Sequence, residues 1–416
     1  MELYLCIEKR RKAKEEFYLK ALGALIKKHR LKMNMSQLEL AIGICSNTYI
    51  SKLENNHALP GWEQLMLLME RVNLNPSDVS FPREALDYLE KAMDCFYRCD
   101  GEGYRSIINE IDKYEFTILL ELTRFGYYVM IEDYETARDY YNNLFRYLSS
   151  LEDYGFAVFL LFACFYNHGV GEVEQARSIL EIASKRLMMT NQIRVMFAFA
   201  DVLIYKNIRM YEKMFGGYQT CITDFTQTFN TTRLMQLMVI RKMLKIDEGT
   251  FKESMVDDRD LDYLMPVSKA KYLLKLASFS KTPEKYLKKI DKDNPYRGLA
   301  LCKLAGVYND EDQETFDETI AELKSYQIEH ESTIDFVRMI ELAQDKHSME
   351  YKEFLAKHVL PKAVDSGDVD AIEQVIESII DILRHNSRYK DALSYRKKFK
   401  KICHTFRTRK KGTWKE

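Results

Sequence analysis

Residues 36–55 read Ser36-Gln37-Leu38-Glu39-Leu40-Ala41-Ile42-Gly43-Ile44-Cys45-Ser46-Asn47-Thr48-Tyr49-Ile50-Ser51-Lys52-Leu53-Glu54-Asn55. Ser36 with Glu39 three positions on is a capping box, in which the hydroxyl and the carboxylate each satisfy a backbone N–H of the other's residue, so a helix starts here. It is expected to turn Leu38 and Ala41 inward. A break at Gly43 to Cys45 stops it early, and Ser46 caps a second helix. In that helix Ile50 and Leu53 face inward while Asn47, Thr48, Ser51 and Lys52 face outward. Two short helices about a tight turn, with amide and small polar side chains on the exposed face of the second, suit entry into a DNA major groove. The alternative is that Asn47 and Thr48 only cap and solvate the helix. Tyr49 points either to the core, the expected side, or to a phosphate.

Outward from this stretch, short apolar-periodic segments run from Leu22 to Val79 and end in Asn75-Pro76-Ser77-Asp78, with Phe81-Pro82 just beyond. The prolines mark a boundary. Residues 1–80 are therefore read as one domain, with a basic extension over Lys9 to Lys14. From Arg83 the pattern changes to long helical stretches with brief breaks. Glu132-Asp133-Tyr134-Glu135-Thr136-Ala137-Arg138 recurs as Gly171-Glu172-Val173-Glu174-Gln175-Ala176-Arg177, with looser echoes at Gly367 to Ala371 and Ser387 to Ala392. A small residue three positions after an aromatic or β-branched one lets two helices approach closely, as at the second helix of a tetratricopeptide hairpin. The alternative is a generic helical array, and both readings give an α-solenoid. About seven to eight helix pairs are expected over residues 83–405. A basic run from Arg396 to Lys411 closes the chain, with residues 406–416 as a tail; it is either a solvated helix end or a non-specific nucleic-acid contact.

Only 16 Gly and 7 Pro in 416 residues leave few turn formers, so the chain reads as all-α. The 62 Lys+Arg against 63 Asp+Glu exclude a uniformly charged binding protein; any nucleic-acid surface must be local. The 8 cysteines are scattered, which points to reduced thiols in a cytoplasm and not to a disulfide frame or zinc site. The longest apolar run, Phe156 to Tyr166, falls short of the roughly 20 residues a membrane span needs.

The stretch from 22 to 79 resembles the Cro/C1-type (XRE) helix-turn-helix domain: Arg30, Gln37, Ile50-Ser51-x-Leu53-Glu54 and Pro60 fall where that family has them. Between Ala41 and Ile50 the chain is one residue shorter than the common spacing. This shorter form is similar to the Rgg and PlcR branch of the RRNPP regulators, which join such a domain to a tetratricopeptide-like solenoid that binds a short signalling peptide. The resemblance covers the layout of nearly the whole chain, with specific motifs only in the first 80 residues. It implies a transcriptional regulator gated by a peptide, and assigns Gln37 to a phosphate or base-edge contact, Asn47, Thr48 and Ser51 to base reading and Lys52 to the backbone. An Asn amide pairs bidentately with adenine, a Thr methyl meets thymine, and Lys gives a salt-dependent phosphate contact. Arg30 and Glu54 are expected to form a structural ion pair between the first and third helices.

First helices of stacked pairs line a solenoid's concave face. Phe116–Met130, Tyr154–His168, Asn191–Lys206 and Asn230–Leu244 are the candidates, and Arg124, Tyr128, Asn167, Tyr205, Asn207, Asn230 and Arg233 interrupt their apolar faces with polar groups. An Asn both donates to and accepts from one peptide unit, so these seven are the candidate peptide-binding residues; for each Asn the alternative is a helix cap. A groove over about residues 116–244 is expected to take an extended peptide of roughly five to ten residues. A homodimer is expected, because one recognition helix covers only a half-site of a double-stranded operator. No P-loop, nucleophile elbow or His-x-x-x-His is present, and Asp257-Asp258-Arg259-Asp260-Leu261-Asp262 lacks the glycine and terminal glutamate of a calcium loop, so no catalysis, metal or cofactor is expected. Two other functions remain open at this point: a protein-interaction scaffold, and a constitutive phage-type repressor without a peptide ligand.

Overall fold

The computed structural model describes residues 14–55, 57–58, 61–74, 82–114, 117–145, 148, 151, 153–186, 190–308, 312–329, 335–365 and 369–408. Pro60, Pro76, most of the basic N-terminal segment, the Gly367-Asp368 echo and the tail from Arg409 onward lie outside the described residues. Among the described residues all regular structure is helical. No described helix is long and apolar enough to cross a membrane.

The chain parts into two compact units, Met1–Tyr166 with Ile182–Met196, and Asn167–Glu181 with Phe197–Glu416. The first begins with α1 (Lys14–Lys32), α2 (Gln37–Ala41), α3 (Asn47–Glu54) and α4 (Trp62–Arg71). It continues through α5 (Pro82–Arg98), α6 (Gly101–Ile111), α7 (Ile118–Met130) and α8 (Tyr134–Phe145). Three helices straddle the division: α9 (Asp153–Gly169), α10 (Val173–Arg186) and α11 (Asn191–Asn207).

In α1 the consecutive residues Gly23, Ala24, Leu25 and Ile26 are all buried. A helix against one neighbour buries one stripe; four in a row need partners on several sides. They are present, since α1 packs on α3 and also on α5 and α7. Of the pair expected to turn inward in α2, Ala41 does so at 1% exposed but Leu38 stands 60% exposed, and Leu40 is the buried partner. The helix is only five residues long. So short an element has no stripe of its own to obey, and its packing on α3 and α4 sets the inward side.

One turn recurs along the array. Cys99, Glu132, Gly171, Arg209 and Gly249 all have φ between 54° and 89°, the left-handed region. Each follows the end of a helix, and the next N–H reaches back five residues: Asp100 to Cys95 O, Asp133 to Tyr128 O, Glu172 to Asn167 O, Met210 to Tyr205 O and Thr250 to Lys245 O, at 2.7–3.0 Å. This is the C-terminal cap that reverses a helix tightly. Ala137 and Ala176, in the two clearest sequence repeats, are fully buried on the helices that follow.

The second unit goes on with α12 (Tyr211–Gln227), α13 (Thr231–Asp247), a 3₁₀ turn at Asp258–Tyr263, α14 (Pro266–Phe279), α15 (Glu284–Leu287) and α16 (Arg297–Tyr308). Then come α17 (Gln313–Glu329), α18 (Phe336–Ala343), α19 (Met349–Phe354), α20 (Leu360–Asp365), α21 (Val369–His385) and α22 (Tyr389–Thr408). Tyr272, Leu276, Tyr286, Leu287, Leu301 and Leu323 anchor its core. Each such burial contributes about 1.5–3 kcal/mol.

Candidate functional site

The helix-turn-helix is built from its caps inward. Ser36 Oγ accepts from Glu39 N at 3.2 Å and Ser36 N donates to Glu39 Oε2 at 2.6 Å. The Ser36 backbone N–H, and then its hydroxyl, hold the Glu39 carboxyl below its ordinary range. Gly43, at φ 76°, makes the break, and Ser46 Oγ accepts from Tyr49 N at 3.1 Å to start α3. Arg71 on α4 donates to the carbonyls of Leu40 and Ile42, closing the C-terminal end of α2.

Glu54, fully buried, is held from two helices. Arg30 donates from Nε to Oε1 at 2.6 Å and from Nη2 to Oε2 at 2.9 Å, and its Nη1 reaches Met35 O at 2.7 Å. Gln37 Nε2 donates to Glu54 Oε2 at 2.7 Å. A carboxylate without water survives only with such a full set of donors. Gln37 thus ties the start of α2 to the end of α3 and keeps one amide hydrogen for any further contact. On α3, Ile50 and Leu53 are buried, Asn47, Thr48 and Lys52 are exposed, and Ser51 and Tyr49 are half-buried.

In the first unit, Arg124 donates to Glu121 at 2.9 Å and to Ile111 O at 3.0 Å, and lies 3.5 Å from Asp112. Tyr128 stacks on Tyr140, with ring centroids 5.4 Å apart. In the second unit, Asn230 Oδ1 accepts from Arg233 N at 3.3 Å and so caps α13. Arg233 bonds Gln236 at 2.8 Å and lies over the Phe199 ring, and Gln236 Nε2 donates to Tyr263 O at 2.9 Å. Tyr205 is buried beneath Lys213, whose ammonium stands 5.2 Å from the ring centroid.

Asn167 is buried at the end of α9, and its neighbour His168 meets Asn207. The Asn207 amide nitrogen lies 3.2 Å from His168 Nε2, which accepts because the amide nitrogen has only hydrogens to offer. Burial, and then the charges of Lys271 and Lys206, push the His168 imidazole down to about 3, so it is neutral. Close by in sequence on α11, burial raises the Asp201 carboxyl to about 6 against the pull of Lys213. His168, Asp201 and Gln236 were not among the residues read from the sequence. His168 had a usable signal: it stands 39 residues from Asn207, the offset that separates Glu132 from Gly171.

No protein-family model and no curated protein matches the chain. A Rap protein solved with competence and sporulation factor is similar in structure, with a TM-score of 0.58 at 12% identity over 79% of this chain and 100% of that one. The apo form of the quorum sensor NprR from B. thuringiensis matches at a TM-score of 0.45, 11% identity, 77% of this chain and 99% of that one. PlcR from Bacillus thuringiensis, in complex with the peptide PapR7 and DNA, matches at 0.33, 14% identity, 65% of this chain and 100% of that one. At such identities the Rap likeness carries the fold alone. The fold is all-α, an array of tetratricopeptide-like helix pairs similar to that of the Rap protein.

Proposed function

We propose that the chain is a cytoplasmic, non-catalytic regulator of transcription that reads a DNA operator through α3 and is gated by a short linear peptide. In this reading residues 1–80 form the DNA-binding part, 83–405 bind peptide and dimerise, and 406–416 are a basic tail. The observation that carries it is the Arg30–Glu54–Gln37 lock, which fixes α3 so that Asn47, Thr48 and Lys52 project together from one exposed face. A reading helix must be rigid before it meets its groove, since a loose one loses affinity to ordering.

For the peptide, Asn207 with His168 offers a neutral donor and acceptor pair, and Asn167 stands beside it in sequence. Asn230, Arg233, Arg124 and Tyr128 already have structural tasks.

Selection of operator sites from genomic fragments, followed by titration with synthetic peptides, tests this. Asn47→Ala is expected to cost on the order of 1–3 kcal/mol on the selected site and little on random DNA, whereas Lys52→Ala weakens both alike. Equal losses on both sequences for both variants overturn the α3 assignment. Loss of peptide affinity in Asn207→Ala with unchanged DNA affinity supports gating; a lowered melting temperature with unchanged peptide affinity rejects that residue.

A further inference from the structure

The last helix carries a charge imbalance that its own contacts leave unexplained. α22 packs on α21, and the residues least exposed along it, Ala392, Tyr395, Phe399, Ile402 and Cys403, form one helical stripe. At about 100° per residue, Lys390, Arg396, Lys397, Lys400 and Lys401 fall within an arc of roughly 140° on the opposite side. All five are exposed. The helix has one acid, Asp391, and Arg388 takes it at 2.8 Å. Like charges one turn apart, such as Arg396 with Lys400 and Lys397 with Lys401, destabilise a helix. The macrodipole compensates only within the last turn, and Lys401 stands about two turns before Thr408.

One edge of this strip leads into a cavity. Lys400 and His404 line a space of about 320 Å³ with Arg209, over Val369, Phe399 and Cys403. Arg209, in the turn between α11 and α12, is fixed by Glu373 at 2.6 Å.

We propose that the outer face of α22, with Arg209 at its edge, binds the phosphate backbone of nucleic acid without regard to sequence. From Lys390 to Lys401 the strip runs about 16 Å, long enough to meet several phosphates of a duplex that carries one charge per ~1.7 Å. A membrane surface fits poorly, because an interfacial helix needs a free apolar face and that of α22 lies against α21. A protein partner fits less well, since the exposed apolar residues of α22, Tyr389 and Leu393, stand in its first two turns and none lies among the basic residues between Arg396 and Lys401. The contact is independent of the role of α3.

The test measures fluorescence anisotropy of a labelled random-sequence duplex with the full chain, from roughly 50 to 200 mM salt. Lys397→Gln/Lys401→Gln is expected to weaken binding on the order of tenfold at the low end and to lower the slope of log affinity against log salt by about two. Lys397→Glu/Lys401→Glu is expected to lose more. Both pairs are exposed, so an unchanged melting curve verifies the fold. Sedimentation with phosphatidylcholine–phosphatidylserine vesicles is the second arm. Unchanged slope and affinity on DNA, or a variant effect seen only with vesicles, overturns the proposal.

Discussion

Glu54 shows what one side chain decides. Its carboxylate is fully buried and takes three hydrogen bonds from Arg30 and Gln37. Glu54→Ala leaves the guanidinium without its partner, and about 3–5 kcal/mol of stability is expected to go with it. Urea unfolding measures this; a change below about 1 kcal/mol, the worth of an exposed pair, would mean that water reaches the site. His168 and Asp201 make a second expectation, about pH. A histidine held at about 3 binds fewer protons folded than unfolded, so it makes stability fall as pH drops below its unfolded value of roughly 6.5. Asp201, raised to about 6, binds more protons folded than unfolded between about 4 and 6, so it makes stability fall as pH rises through that window. The two slopes oppose each other between about 4 and 6. His168→Gln removes one, and melting temperature in the variant is expected to decline from pH 4 to 6 more steeply than in the parent. Parallel curves would reject the assignment.

At the level of the element, what could be read from sequence depended on whether the signal was local. Ser36, Glu39 and Ser46 act within three residues of themselves, and the caps they predict are present. Leu38 misled because the inward side of a five-residue helix is set by α3 and α4, not by its own spacing. The repeating turn was hidden for another reason. Backbone conformation is conserved along the array while the residue adopting it changes from Cys99 to Glu132 to Gly171 to Arg209 to Gly249, so a consensus of residue types passes over it. The candidate peptide residues were illegible for want of partners: an Asn that caps α13 and one that faces a histidine look alike in a sequence. Two substitutions follow. Glu132→Gly relieves a left-handed residue and is expected to stabilise by roughly 1 kcal/mol, read by thermal melting; a loss would show that the Glu132 side chain matters more than its backbone. Gly126→Ala drives a methyl into the Phe162 ring and the Tyr104 hydroxyl and is expected to cost about 1–3 kcal/mol. An unchanged melting point would mean that α6, α7 and α9 are not so close.

For the whole molecule, the proposed function requires two copies, since a single α3 spans a half-site. Light scattering at micromolar concentration is expected to give the dimer mass, with and without operator; a monomer in both would count against it.

The burial of α1 on several sides has a mechanical consequence. With α3 on one flank and α5 and α7 on the others, Gly23 to Ile26 serve as a shared wall between the helix-turn-helix head and the first hairpins. A head fixed in this way behaves as the end of a stiff lever and not as a weight on a string. Reorienting it alone would tear open a core, so within the first unit the proposed reading helix is expected to turn only together with those hairpins.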